Sequence, residues 1–155
     1  MKLIQGIDFF YHDHNRNLVI LGYQELMCGA QQSSADLLSL LCEANGRSVK
    51  GSMELFAKIN QAHQKLAVLV NPARQEIYFP THAASNSRCI WLNYGRIQRI
   101  EVDEENQCVV HFKDDSQLTV SCSVRVVSRQ MERCRNLLDS LGNPYEQIND
   151  LFFKI

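Results

Sequence analysis

The chain has 155 residues, of which 45% are hydrophobic and 21% are charged, and its formal net charge is −1. This length suffices for a single domain (1–155) with a substantial core, and the composition is unlike that of a disordered protein. The apolar runs are too short to span a bilayer, the first residues do not resemble a signal peptide, and the six cysteines lack the spacing of a secreted disulfide scaffold, so we expect a cytoplasmic protein with reduced thiols and no membrane contact.

The chain begins with a predicted β-hairpin. Apolar residues at 7–11 and 18–21 predict two strands, and the turn-forming residues 12–17 join them. His12 and His14 alternate around one aspartate and would point to the same side of a strand. Two imidazoles are fewer than the three or four ligands that a metal site usually needs. We therefore expect an exposed polar turn here, with no metal and no other cofactor.

A capped helix follows the hairpin. Ser33 or Ser34 can cap a helix that continues to about Ala44, and the Asn-Gly pair after it is a typical stop signal. Residues 48–62 fit either a strand or a helix capped by Ser48, and periodicity does not distinguish the two. Two helices here would have the outline of a helix-turn-helix, but the second would be too apolar for a recognition helix.

From residue 66 the pattern is rich in strands. Short apolar runs bounded by turn residues predict six of them, at 66–70, 76–79, 89–92, 96–102, 108–112 and 118–121. The acidic loops 103–107 and 113–117 join the last three into an antiparallel meander. Four residues of the second and third of these strands are expected to be largely buried: Phe79, Cys89, Ile90 and Trp91.

The sequence ends with helical patterns. An apolar stripe with steps of four, three, four and three residues predicts a helix that Gly142 terminates: Val127, Met131, Cys134, Leu138 and Leu141. A second helix can start at 143–146, and the apolar residues of 145–155 should either pack on the sheet or form an oligomer contact. The expected fold class is α+β, an antiparallel β-meander sheet with helices packed at one side or end.

The low net charge conceals a segregation of charge along the chain. Residues 45–99 carry eight Lys and Arg against two Glu, residues 100–117 are strongly acidic, and residues 125–135 carry four Arg against one Glu. A polyanion responds to such a local field rather than to the net charge. Three arginines recur every four residues opposite the apolar stripe: Arg125, Arg129 and Arg133. They form either a solvated helix face or a secondary basic ridge for nucleic acid or for a partner's carboxylates.

Two patterns that could indicate catalysis are weak. Residues 46–52 contain two glycines and a lysine, but the lysine stands before the second glycine, whereas a phosphate-binding loop needs it directly after. Cys89 could act as a nucleophile with His82 or His111 as its base, although a cysteine in an apolar strand is more often a small core residue. Neither pattern is accompanied by paired acids or a nucleophile elbow, so we expect no enzymatic activity.

The middle of the chain carries a family signature. The string consists of Asn71-Pro72, Ile77-Tyr78-Phe79-Pro80-Thr81, Ser85 and Cys89-Ile90-Trp91-Leu92. It resembles the ComK family, the competence transcription factors of Gram-positive bacteria. Further matches lie upstream and downstream: Cys42, Gly46-Arg47-Ser48, Gly51, Val120-Ser121, Gln130, Arg133 and Leu137. The resemblance is strongest over residues 40–141.

The resemblance implies a transcription activator that binds A/T-rich boxes in double-stranded DNA from the minor groove. It also implies a homo-oligomer and an adaptor that delivers the protein to a Clp protease. Minor-groove readers use Arg and Lys where A-tracts narrow the groove. The DNA contacts that we expect within 45–99 are Arg88, Arg96 and Arg99, supported by Arg47, Lys50 and Arg74.

The alternative interpretation is a protein–protein interaction module. In that case the meander and the last helix resemble a pleckstrin-like domain that binds a peptide or an adaptor and no DNA. One continuous basic groove joining Arg47, Arg88, Arg96 and Arg99 would favour DNA. Scattered charge together with an exposed apolar groove would favour a protein partner.

Overall fold

The computed structural model describes residues 6–23, 26–142 and 152–153. Within these ranges, nine strands form two antiparallel sheets, and three α-helices pack around them. The strands are β1 (Phe9–Asp13), β2 (Leu18–Tyr23), β3 (Leu26–Ala30), β4 (Val68–Asn71), β5 (Glu76–Pro80), β6 (Ile90–Asn93), β7 (Ile97–Val102), β8 (Cys108–Phe112) and β9 (Gln117–Val120). The helices are α1 (Ser34–Ala44), α2 (Val49–Asn60) and α3 (Val124–Leu141), and a 3-10 turn (Tyr94–Arg96) precedes β7. This is the α+β class that the sequence predicts.

The six strands β1 to β6 form one sheet in the order β3-β2-β1-β6-β5-β4, and the meander β7-β8-β9 forms a second sheet. The first hairpin, the six later strands and the meander are confirmed. Strand β3 was not predicted, because Gly29 and Ala30 in its short sequence are weak strand formers. It forms by pairing with β2, where Leu21 lies opposite Cys28.

Residues 48–62 form a helix, which settles the ambiguity that their pattern left open. Ser48 caps α2 by accepting a hydrogen bond from the amide of Gly51. The Ser52 hydroxyl donates to the carbonyl of Leu69 on β4 over 2.8 Å, and Phe56 is fully buried. The helix therefore covers the outer edge of the sheet at β4, an edge that would otherwise be open to pairing with another chain.

The large sheet is buried on both faces. On one face Phe10 lies against Tyr78 and Trp91, and α1 covers this layer with Leu38 and Cys42. The opposite face packs against α3 and the second sheet. Its buried members are led by Phe9, Phe79, Leu92, Phe112 and Leu137. The predicted burial is confirmed for Phe79, Cys89 and Trp91, while Ile90 is only half-buried.

Helix α3 follows the predicted apolar stripe. Ser123 caps it by accepting from the amide of Val126. Of the predicted stripe, Val127 and Cys134 are buried, while Met131, Leu138 and Leu141 pack half-buried against the core. Leu137, which the stripe did not include, is also buried. Gly142 ends it with a positive φ of 46°. The helix predicted to begin at 143–146 lies outside the described residues. None of the helices in the described ranges is long and apolar enough to cross a membrane.

Candidate nucleic-acid interface

The six DNA contacts expected within 45–99 lie on separate elements. Their positions are the α1–α2 junction for Arg47 and Lys50, the β4–β5 turn for Arg74, the loop before β6 for Arg88, the 3-10 turn for Arg96 and strand β7 for Arg99. The five best-defined grooves of the described residues are not lined by Arg47, Arg88, Arg96 or Arg99.

Arg96 has a structural partner. Its Nε donates to Oδ1 of Asp8 over 3.0 Å, and the two side chains are only 19% and 2% exposed. The carbonyl of Arg96 also accepts from the amide of Lys113 at the start of the β8–β9 turn. Arg96 therefore links β7 and the second sheet to the segment that leads into β1.

Asp8 is an unusual partner for an arginine. Burial, and then a hydrogen bond with the Asp114 carboxyl, raise the pKa of its carboxyl to about 7, and the Arg96 guanidinium offsets only part of this rise. The removal of water from a carboxyl penalises its charged form, and a second acid nearby adds to that penalty. Asp8 and Arg96 thus form a buried contact between the two sheets, in which the Asp8 carboxyl titrates. Arg96 is therefore not a free cation.

Two more of the expected contacts also have acidic partners. Arg74 donates to Glu76 over 2.6 Å, and Arg99 donates to Glu101 over 3.1 Å. Both guanidinium groups remain more than half exposed. The neighbouring carboxylate reduces the net field that each offers to a phosphate, since opposite charges a few ångströms apart largely cancel at a distance.

The arginines of α3 form a basic groove together with the loop that leaves α2. This groove, of about 610 Å³, lies between residues 61–65 and the outer face of the helix. Its cationic lining consists of Lys65, Arg125, Arg129 and Arg133. Residues four apart on a helix rise by about 6 Å, so the three guanidinium groups are stacked along one side of the groove.

These arginines are not neutralised locally. In the described part of the chain Arg125, Arg129 and Arg133 form no ion pair, and the predicted alternative of an Arg129–Glu132 pair is absent there. Burial lowers the pKa of Arg133, and the charge of Arg129 lowers it further. The like charges in this groove repel one another, and a bound anion would reduce that repulsion.

The side chain of Gln130 connects the segments that form the basic groove. Its side chain is buried, and Nε2 donates to the carbonyls of Lys65 over 2.9 Å and of Pro80 over 3.1 Å. Its Oε1 accepts from Nη1 of Arg133 over 3.2 Å. Asn60 adds a second tether by donating to the carbonyl of Arg133. The loop, the end of β5 and the arginine ridge are thereby fixed relative to one another.

A second, smaller groove continues the basic surface. It measures about 390 Å³ and shares Lys65 with the first groove, while His82 and Asn86 form its far side. The pKa of His82 is lowered by burial first, and then by the charges of Lys65 and Arg88. Arg88 therefore lies near His82, at the edge of the smaller groove, without lining either groove.

We call these five cations the basic face: Lys65, Arg88, Arg125, Arg129 and Arg133. The spacing of the α3 arginines is visible in the sequence, and Arg88 is among the expected contacts. Lys65 and His82 were missed as site residues, because nothing local in the sequence places the loop 61–65 beside α3. Gln130 was noticed only as a family match, and a buried glutamine in a helical stripe is the signal that could have found it.

The geometry gives no support to a nucleophilic Cys89 or to a metal site at His12 and His14. The Cys89 thiol is buried, donates to the carbonyl of His82 and has a pKa raised by that burial, all of which disfavours a reactive thiolate. The rings of His12 and His14 contact each other at 4.5 Å between centroids. Among the residues that the structure describes, no three His, Cys, Asp or Glu side chains group as metal ligands.

Comparison with known proteins points in one direction. The family model described as ComK protein matches residues 12–143, which is most of the chain. No curated protein and no solved structure gives a significant match.

Proposed function

Because the chain belongs to the ComK family, a family of transcription factors rather than of enzymes, we propose that it is a transcriptional regulator of competence that binds double-stranded DNA through the basic face. The observation that carries this proposal is the convergence of Lys65 and the three arginines of α3 on one groove, with Arg88 near the adjoining His82. Within the described residues, no carboxylate pairs with them. Such a surface matches the repeating negative charge of a phosphate backbone.

The proposed contacts differ in weight from those expected on sequence alone. Arg88 is retained, and the α3 ridge becomes the primary contact instead of the secondary one. Arg47 and Lys50 remain proposed as outlying phosphate contacts. Arg74, Arg96 and Arg99 are less suited to this role because each already bonds to a carboxylate.

The preference for A/T-rich DNA is proposed to come from groove shape. A narrow minor groove has a deepened negative potential, which attracts inserted arginine without any contact to base edges. Arg133 is half-buried and donates to Gln130 at the base of the basic groove, so a neighbouring side chain helps to fix its position. Arg125 and Arg129, about two turns and one turn before Arg133 on α3, are exposed and suited to contacts with phosphates.

The test is a titration of A/T-rich and G/C-rich duplexes across a salt series. The log of the affinity should fall with log salt at about 0.9 per neutralised phosphate. The double variant Arg125→Ala and Arg129→Ala should lower both the affinity and this slope, by about 0.9 for each phosphate that the variant no longer neutralises. The fold should persist, because both side chains are exposed and alanine favours a helix.

Arg16→Ala is the matched control, since this exposed arginine lies in the β1–β2 turn and pairs with Asp13. It should leave affinity and slope unchanged. Arg96→Ala is unsuitable as a contact variant, because it would remove the partner of the buried Asp8 and so perturb the fold. Wild-type binding that is absent, independent of salt or equally weakened by Arg16→Ala would contradict the proposal.

A further inference from the structure

A groove on the α1 side of the large sheet, the α1 groove, has no part in the proposed DNA contact. It measures about 470 Å³, within the range of about 300–1,000 Å³ that is typical of clefts for small molecules. Its walls are the first turns of α1 and α2 and the loop 84–87, and the buried Trp91 lies at its base. The size suits a small molecule, whereas a stable protein interface buries a total of about 1,200–2,000 Å².

The lining of the α1 groove combines apolar side chains with uncharged polar groups. Its larger apolar members are Leu38, Val49, Met53, Cys89 and Trp91. The polar members are serines, one asparagine and two histidines, and within the described residues no Asp, Glu, Lys or Arg lines the groove. Such a lining suits a molecule that has an apolar body and one polar end.

Both helices that line the α1 groove do so with their first turns. The first amides of an α-helix have no partner within the helix, and the helix dipole gives this end a partial positive charge. In the part of the chain that the structure describes, the amides of Ser34, Ala35 and Val49 have no hydrogen-bond partner, and all three residues line the groove. The acid in the first turn of α1, Asp36, lines a different hollow on the outer face of the helix.

His12 and His14 provide a second set of donors, independent of the helix ends. Their rings lie 4.5 Å apart between centroids, and both residues line the α1 groove. An imidazole carries at least one N–H in either of its ordinary protonation states. Among the described residues neither ring has a hydrogen-bond partner, so both can donate to a ligand.

We propose that the α1 groove binds a small carboxylic acid with an apolar body. The body lies against Trp91 and its apolar neighbours, and the carboxylate accepts hydrogen bonds from the first amides of α1 and α2 and from the two histidines. Charge selects this class of ligand, since both helix ends favour a negative group and oppose a positive one. No carboxylate of the described lining repels the ligand.

The test titrates the full chain with two acids, octanoate and 3-phenylpropanoate, and with octylamine and octan-1-ol. Trp91 is the only tryptophan of the chain and lines the groove, so its emission reports occupancy. At least one acid should change the emission saturably and bind about tenfold more tightly than octylamine, because the helix ends attract one charge and repel the other. In proton–nitrogen NMR the same acid should shift the amides of Ser34, Ala35 and Val49 more than those of Arg125 and Arg129.

A variant of the groove tests the preference for negative charge. Ala35→Glu places a carboxylate at an exposed lining position in the first turn of α1, where glutamate suits the helix. It should weaken the binding of the acid about tenfold and shift the preference towards octylamine. Ala35→Gln, of nearly the same size but uncharged, is the matched control and should keep the preference for the acid. Leu40→Glu adds the same charge to α1 outside the groove and should leave both affinities unchanged.

The proposal would be overturned if neither acid bound saturably, or if octylamine bound as tightly as the acids. It would also be overturned if Ala35→Glu kept the preference for the acid, or if Ala35→Gln lost it to the same extent as Ala35→Glu. Circular dichroism melting of every variant separates these outcomes from a failure to fold. The test uses no DNA, so its result is independent of the proposed function.

Discussion

The amide of Gln130 connects three segments of the chain at once. It donates to the carbonyls of Lys65 and Pro80 and accepts from Arg133. This buried amide contributes to stability, because both carbonyls would lose a hydrogen bond without it. At the scale of the residue, the basic face thus depends on one uncharged side chain that no nucleic acid needs to contact.

Gln130→Met should show this dependence. The change keeps a similar volume but removes the hydrogen bonds to the buried Pro80 carbonyl and the partly buried Lys65 carbonyl, which should lower the free energy of unfolding by about 1–3 kcal/mol. Urea denaturation of the full chain measures it. Ser128→Ala, at an exposed position of the same helix, should change stability by less than about 0.5 kcal/mol. Equal stabilities for the wild type and Gln130→Met would contradict the tether.

The Asp8 carboxyl predicts a pH dependence of stability. Its pKa is raised from 3.8 to about 7, mainly by burial, so the folded chain retains a proton that the unfolded chain releases between these values. Since the folded state binds more protons in this window, this contribution to stability is full below pH 4 and is lost as the pH rises towards 7. Asp8→Asn should remove this part of the slope in urea denaturation measured from pH 4 to 8. A variant with the wild-type slope would show that another group is responsible.

Gly95 allows the 3-10 turn to pack closely against the β4–β5 turn. A Cβ at Gly95 would lie 2.6 Å from the carbonyl oxygens of Arg74 and Gln75 in the β4–β5 turn. These are backbone atoms, so they cannot rotate out of the way as a side chain would. The 3-10 turn can therefore pack against this turn only without a side chain at position 95.

Gly95→Ala should destabilise the chain by about 1–3 kcal/mol, the usual cost of forcing an extra group into a packed region. Thermal unfolding followed by circular dichroism checks this. Gly51→Ala serves as the comparison, because its Cβ would lie 2.9 Å from the Ser48 hydroxyl, a side-chain atom that can move, whereas Gly95 meets backbone atoms. It should cost less than Gly95→Ala, and a loss of stability as large as that of Gly95→Ala would contradict this explanation.

Elements with strong local signals were predictable from the sequence. α1 has a capping serine and a stop at Asn45, and α3 has an apolar stripe that ends at Gly142, so local chemistry determines both. The strand β3 and the helix α2 depend on tertiary context. β3 forms because β2 offers an edge, and α2 becomes a helix that lies along the edge of β4, which no pattern within residues 48–62 reveals.

At the scale of the whole molecule, the candidate site was predictable only in part. The ridge on α3 follows from a spacing of four residues. Lys65 and Arg88 come near this ridge only through the tertiary fold. The Gln130 hydrogen bonds that help to hold these segments together join residues 50 and 65 positions apart in the sequence. Asp8 and Arg96, 88 positions apart, show the converse case, in which an expected DNA contact is used to join two sheets.

The loop before β6 is a wall shared by two grooves. Asn86 lines both the smaller groove of the basic face and the α1 groove of about 470 Å³, which Trp91 and the first turns of α1 and α2 also line, and the amide of Arg88 donates to the Asn86 side chain over 2.8 Å. An occupant of one groove that moves this loop alters the affinity of the other groove, and thermodynamic linkage makes the effect reciprocal. A ligand on the α1 side of the large sheet would then change the affinity of the basic face for an anion by the same factor by which the anion changes the affinity for that ligand.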